Sequence, residues 1–113
     1  LSNLSRLIFM VKVKVERSHK KSLLLRYSIM LDMRMQDKIL FVAGVSSISV
    51  GMMNALDLLV PETCIFQLKE AYVEIKTKQS NEKTLLLLEG MLVQLKTLQE
   101  SYSSYITIND QEV

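Results

Sequence analysis

The stretch that most constrains this chain is residues 38–57, KILFVAGVSSISVGMMNALD, which carries no charged side chain between Lys38 and Asp57. A run of this length is close to what a helix needs to cross a bilayer. Ser46, Ser47, Ser49 and Asn54 interrupt it, and Asp57 closes it. The local chemistry suits two buried elements better than one span. ILFV at 39–42 reads as a short inner strand, apolar on both faces. Gly44 offers a turn, and the serines offer a helix N-cap. A helix over 47–59 then has Ile48, Met52, Leu56 and Leu59 as an apolar stripe. Beside it Ser47, Gly51 and Ala55 form a ridge of small side chains, suited to close packing on a neighbour. Pro61 ends the helix, because the residue before proline is driven out of helical dihedrals.

The flanks have their own periodicities. VKVKVE at 11–16 alternates, with Val11, Val13 and Val15 on one side and Lys12, Lys14 and Glu16 on the other, the pattern of a half-buried strand. RSHKK at 17–21 reads as a polar turn, with Ser18 as a candidate N-cap. SLLLRYSIMLDMRM at 22–35 is rich in leucine and methionine, which favours helix. The second half supports two readings. AYVEIKTK at 71–78 and MLVQLKT at 91–97 can be paired strands, joined by the polar loop KQSNEKT. The same region also fits helical spacing, through Ile65, Leu68, Tyr72 and Ile75, and through Leu85, Leu88, Leu92, Leu95 and Tyr102. Propensity leans towards a helical hairpin there. ITINDQEV at 106–113 reads as a loose tail.

With 113 residues, 49% of them hydrophobic, the chain has material for one packed domain. Charge is unevenly spread. Residues 1–38 hold nine basic and three acidic side chains, and residues 39–113 hold five basic and nine acidic. A basic first third favours a polyanionic partner or an acidic surface. Cys64 is the one cysteine, so no internal disulfide and no thiolate zinc cage can form, and a reducing compartment fits. One histidine, one cysteine and no paired Asp/Glu motif point away from a metal hydrolase or a nucleophilic triad. Gly44 and Gly51 lack the GK[ST] ending of a phosphate loop.

Two places carry a family resemblance. One is the lysine pair Lys20–Lys21 between the first strand and the next element. The other is GVSSISVGMMNALDLL at 44–59, with Ile48, Met52, Ala55 and Leu58 at apolar and small positions. Both resemble the Alba superfamily of small nucleic-acid-binding proteins, which includes the Alba-like subunits of ribonuclease P and ribonuclease MRP. Val45, Ser47 and Gly51 depart from the family's helix entry, and Ser22 replaces the proline after the lysine pair. The resemblance implies an α/β domain of βαβαββ order over 11–100, after an extension at 1–10 and before a tail at 101–113. It implies a β-hairpin within 71–97, where the residues alone lean towards helices. A mostly α-helical bundle is the alternative.

The function so implied is that of a non-catalytic RNA-binding subunit of a ribonucleoprotein, nuclear or cytoplasmic. Structured RNA or DNA would be its ligand, and a homodimer or a heterodimer with another Alba-like chain its assembly. No small-molecule substrate, metal, cofactor or membrane is expected. Phosphate contacts need clustered exposed cations. Lys12, Lys14, Arg17, His19, Lys20, Lys21 and Arg26 form the expected contact set. The alternative function is a small α-helical interaction subunit of a larger complex, with its leucine stripes covered by partners.

Overall fold

The computed structural model describes residues 11–18, 24–30, 39–69, 72–79 and 81–113. The elements are β1 (Val11–Ser18), β2 (Leu24–Met30), α1 (Ile39–Leu59), β3 (Cys64–Lys69), β4 (Tyr72–Thr77), α2 (Glu82–Ser101) and β5 (Ile106–Glu112). The strands make one five-stranded sheet in the order β3-β4-β2-β1-β5. Neighbours pair antiparallel except β1 and β5, which are parallel. The class is α/β, as expected. The order ββαββαβ replaces βαβαββ.

Both helices cover one face of the sheet. Val11, Val13 and Val15 of β1, Val73 and Ile75 of β4, and Ile106 of β5 meet Phe41, Val45, Met52 and Leu56 of α1 and Leu88, Met91, Leu92 and Leu95 of α2 in a single core. The alternation read in VKVKVE therefore holds: the valines are buried, and Lys12 and Lys14 lie exposed on the other face. The leucine stripe of 85–95 holds as well, on a single helix. Asn81 starts that helix, and its side-chain oxygen accepts from the Lys83 and Thr84 amides at 2.9 and 3.1 Å. Such a cap satisfies donors that the first helical turn leaves unpaired.

Four expectations about elements give way. Residues 39–42 open α1 and are no inner strand. The whole uncharged run is continuous helix, and Phe41, Val45, Ser49, Met52 and Leu56 recur at three- and four-residue steps on its buried side. Leu24–Met30, expected within a helix over 22–35, is the central strand β2; positions 31–35 lie outside the described residues. Both its edges are taken, by β1 and by β4, and that pairing outweighs the helical preference of Leu and Met. The helical hairpin of the second half is instead the β-hairpin β3–β4 followed by α2. MLVQLKT at 91–97 belongs to that helix and pairs with no strand.

The fourth is the tail. Residues 106–112 are β5, in register with β1 from Val11↔Ile106 to Arg17↔Glu112. Phe41 anchors the approach to β5, with ring centres 5.1 Å from Tyr102 and 5.8 Å from Tyr105.

α1 from Leu40 to Leu59 is long and apolar enough to cross a membrane, with a mean hydropathy of 1.4. Its inner side nevertheless packs on α2 and the sheet core. Of its ridge of small residues Ala55 packs against the core, while Ser47 is exposed. Gly51 is exposed, with nothing within 4 Å of the Cβ it lacks. The close approach is at Gly44, where a Cβ would stand 3.3 Å from Leu98 Cδ1 of α2.

Candidate functional site

Of the expected contact set, Lys12, Lys14 and Arg17 lie in β1 and Arg26 in β2. Lys12 and Lys14 are exposed on β1, and Lys14 Nζ lies 3.6 Å from Glu16. Arg17 is committed. Its Nε donates to Asp110 Oδ1 at 2.7 Å and its Nη2 to Asp110 Oδ2 at 3.0 Å and Glu89 Oε1 at 3.2 Å, with a further bond from Nη1 to Glu89. The two carboxylates hold the guanidinium protonated, Asp110 most strongly and Glu89 next, and Arg17 in turn holds Asp110 below the usual carboxylate range. A planar fork with two carboxylates on it has little left for a phosphate. Arg26 lies in β2, in register between Glu16 of β1 and Lys76 of β4. His19, Lys20 and Lys21 lie outside the described residues. Ser18, the candidate N-cap, is the last residue of β1.

A different residue gains interest from the fold. Cys64 opens β3, after the turn that ends α1. Within that turn Glu62 has φ 67°, a left-handed conformation uncommon for a residue other than glycine. The turn brings Thr63 beneath Cys64. Thr63 Oγ1 donates to the Val60 carbonyl at 2.7 Å and accepts from Thr84 Oγ1 of α2 at 2.9 Å. Cys64 Sγ stands 3.8 Å from the same Thr63 oxygen. Thr63 gives its one proton to Val60, which leaves its oxygen to accept from Thr84 and face the thiol. Burial is the largest influence and pushes the Cys64 thiol up from its ordinary value, while the Thr63 contact and then Lys78 pull the other way. A thiol in such a setting is not activated. No group of three or more His, Cys, Asp or Glu side chains able to hold a metal occurs among the described residues.

Cys64 is half-buried and in contact with Thr63 at the head of an edge strand. Its position depends on β3–β4 pairing, which periodicity did not resolve.

Solved structures with the same fold put this geometry in a setting. SMU.848 from Streptococcus mutans superposes with a TM-score of 0.78 over 93% of this chain and 97% of its own, at 23% identity. The ribosomal processing protease Prp from S. aureus, solved in complex with a substrate peptide, superposes with a TM-score of 0.79 over 90% of this chain and all of its own, at 22% identity. The same protease with a covalently linked product peptide gives 0.76. No curated protein sequence matches the chain. The family model described as cysteine protease Prp matches residues 10–107.

These findings overturn the Alba reading and what it implied. A family of cysteine proteases takes the place of a non-catalytic RNA-binding subunit of ribonuclease P type. An enzyme family takes the place of the expected absence of enzymatic activity. The nucleic-acid ligand and the Alba-like partner chain go with the Alba assignment. The likeness had rested on a lysine pair and on a helix entry made of small and apolar residues. Many α/β chains can meet such short patterns without sharing a topology. With its family matched over residues 10–107, this chain belongs to the cysteine protease Prp family.

Proposed function

We propose that this chain acts on a polypeptide segment, as a peptide-processing protein of the Prp type. The observation that carries the reading is the family match across residues 10–107, which takes in every described strand at least in part and both described helices. The staphylococcal protein of the same fold holds a substrate peptide in one structure and a covalently linked product peptide in another. A ribosomal processing role suits an intracellular setting, as a single unpaired cysteine does. The nuclear alternative has no support, because the solved relatives are bacterial.

Thiol-dependent peptide cleavage needs a thiolate to attack the scissile carbonyl carbon, an acid to protonate the departing amine, and water to release the acyl group from sulfur. This chain has one thiol, Cys64, and one imidazole, His19. Cleavage by that route falls to Cys64, whose described surroundings keep it protonated. Recognition and cleavage are therefore tested separately. Calorimetry with the substrate peptide of the staphylococcal complex should show binding. Mass spectrometry of the same mixture, for wild type, Cys64→Ala and His19→Ala, reads cleavage. Cleavage lost in Cys64→Ala assigns the nucleophile to Cys64. Binding without cleavage in any variant leaves recognition as the retained part of the family's activity. Absence of peptide binding would overturn the reading.

A further inference from the structure

We propose that the outer edge of β3 is a docking track for an extended peptide, which joins the sheet as a sixth strand. The inference rests on the peptide-directed reading above and adds where and how the peptide sits. It begins with the backbone. The Lys78 amide donates to the Thr63 carbonyl at 2.8 Å, which makes Thr63↔Lys78 a hydrogen-bonded pair of the β3–β4 ladder. Antiparallel pairs alternate between hydrogen-bonded and non-hydrogen-bonded. In the observed register, Ile65↔Lys76, Gln67↔Glu74 and Lys69↔Tyr72 are then the bonded pairs. Cys64, Phe66 and Leu68 consequently turn their amide and carbonyl groups away from β4. Among the described residues β3 is the edge of the sheet, with no strand beyond it.

The two edges of the sheet are built differently. On β5, Thr107, Asn109, Asp110, Gln111 and Glu112 are polar or acidic, the kind of edge that discourages further pairing. On β3, Ile65 is 51% exposed and Leu68 65% exposed, on opposite faces. A strand laid beside β3 would cover both. Phe66, packed against the core, and Leu68 lie on the helix-covered face, so the added strand would want apolar side chains at every second position there. The described, exposed charges of the ribbon are Lys69, Lys76 and Lys78 against Glu62, which favours a peptide with acidic flanks. Strand addition of this kind takes affinity from main-chain hydrogen bonds and specificity from alternate side-chain sites. The track begins at Cys64, so a peptide seated on it passes the chain's one thiol.

Residue-resolved amide hydrogen exchange on the full chain tests this. Two probes are used: the substrate peptide of the staphylococcal complex, and a capped six-residue peptide of alternating valine and threonine. The Ile65 and Gln67 amides should be protected with or without peptide. Those of Phe66 and Leu68 should exchange fast alone and slow at least tenfold with either probe. Leu68→Pro removes an outward donor and leaves the β3–β4 bonds in place, so it should weaken peptide binding tenfold or more while Ile65 and Gln67 stay protected. Leu68→Lys is the second variant, which blocks the edge by charge without a proline.

Substrate-peptide binding with no change at Phe66 and Leu68 overturns the track and leaves the peptide-directed reading standing. Protection by the valine–threonine peptide alone supports the track while the substrate reading fails. Protection at Phe66 and Leu68 that rises with protein concentration in the absence of peptide overturns the proposal, because a second copy or the chain itself then holds the edge.

Discussion

Arg17 ties three elements together: it belongs to β1, Asp110 to β5 and Glu89 to α2. Replacing it with methionine keeps the length and removes the fork. The expected loss is about 1.5–3 kcal/mol, the range for hydrogen bonds to charged groups. Arg17→Lys should lose less but not nothing, because an ammonium cannot bridge two carboxylates in the same geometry. Asp110 fixes the sign of the pH dependence. Its folded value is lowered by Arg17, so its contribution is complete above the ordinary carboxylate value of 3.8 and is lost as pH falls below it. Urea melts of wild type and Arg17→Met should therefore differ most near neutrality and converge below about pH 4. A gap that stayed constant to pH 3 would mean that the Asp110 contact contributes nothing. Cys64 gives the second residue-scale prediction. With its thiol raised above 9.0, alkylation by iodoacetamide at pH 7.5 should be slower than that of free cysteine and should speed up only above pH 9. A rate equal to that of free cysteine at pH 7.5 would mean an activated thiol. Neither role was legible in the sequence. Arg17 read as a phosphate contact, because its two carboxylate partners lie 72 and 93 positions away along the chain.

α1 shows what helical spacing can and cannot resolve. The stripe of Ile48, Met52, Leu56 and Leu59 predicts the buried side in part: Met52 and Leu56 are buried, Ile48 packs against the core, and Leu59 is exposed. The small ridge was placed inward, and Gly51 faces outward instead. Gly51→Ala should raise stability by up to about 1 kcal/mol, because it adds helix propensity and meets no neighbour. Gly44→Leu should cost about 1–3 kcal/mol, because it pushes α1 off Leu98. Thermal melts of the two variants should shift in opposite directions. A fall for Gly51→Ala would put that face of α1 against something else. Spacing alone could not separate the two glycines. Both lie among apolar and small residues, and only the position of α2 decides which is crowded.

At the scale of the molecule, β5 closes the sheet. Removing 106–113 takes away the parallel ladder with β1, the buried Ile106 side chain and the Asp110 end of the Arg17 network. Burial of a side chain such as Ile106 is by itself worth about 1.5–3 kcal/mol, and ordinary domains have only about 5–15 to lose. The truncated chain should therefore unfold less cooperatively and at lower temperature; an unchanged calorimetric transition would show that β5 is dispensable. The sequence by itself determined the features that depend on neighbours along the chain. These are the alternating β1, the leucine stripe of α2 and the stop of α1 before Pro61. Each follows from a local period or a local backbone restriction. Tertiary structure decided the rest. Leu24–Met30 is a strand because β1 and β4 take both its edges, ITINDQE is a strand because β1 offers a parallel edge, and Arg17 is neutralised by carboxylates from α2 and β5. The reason is one of range. A period of two or of 3.6 reports which side of an element is apolar, but not which distant element will cover it.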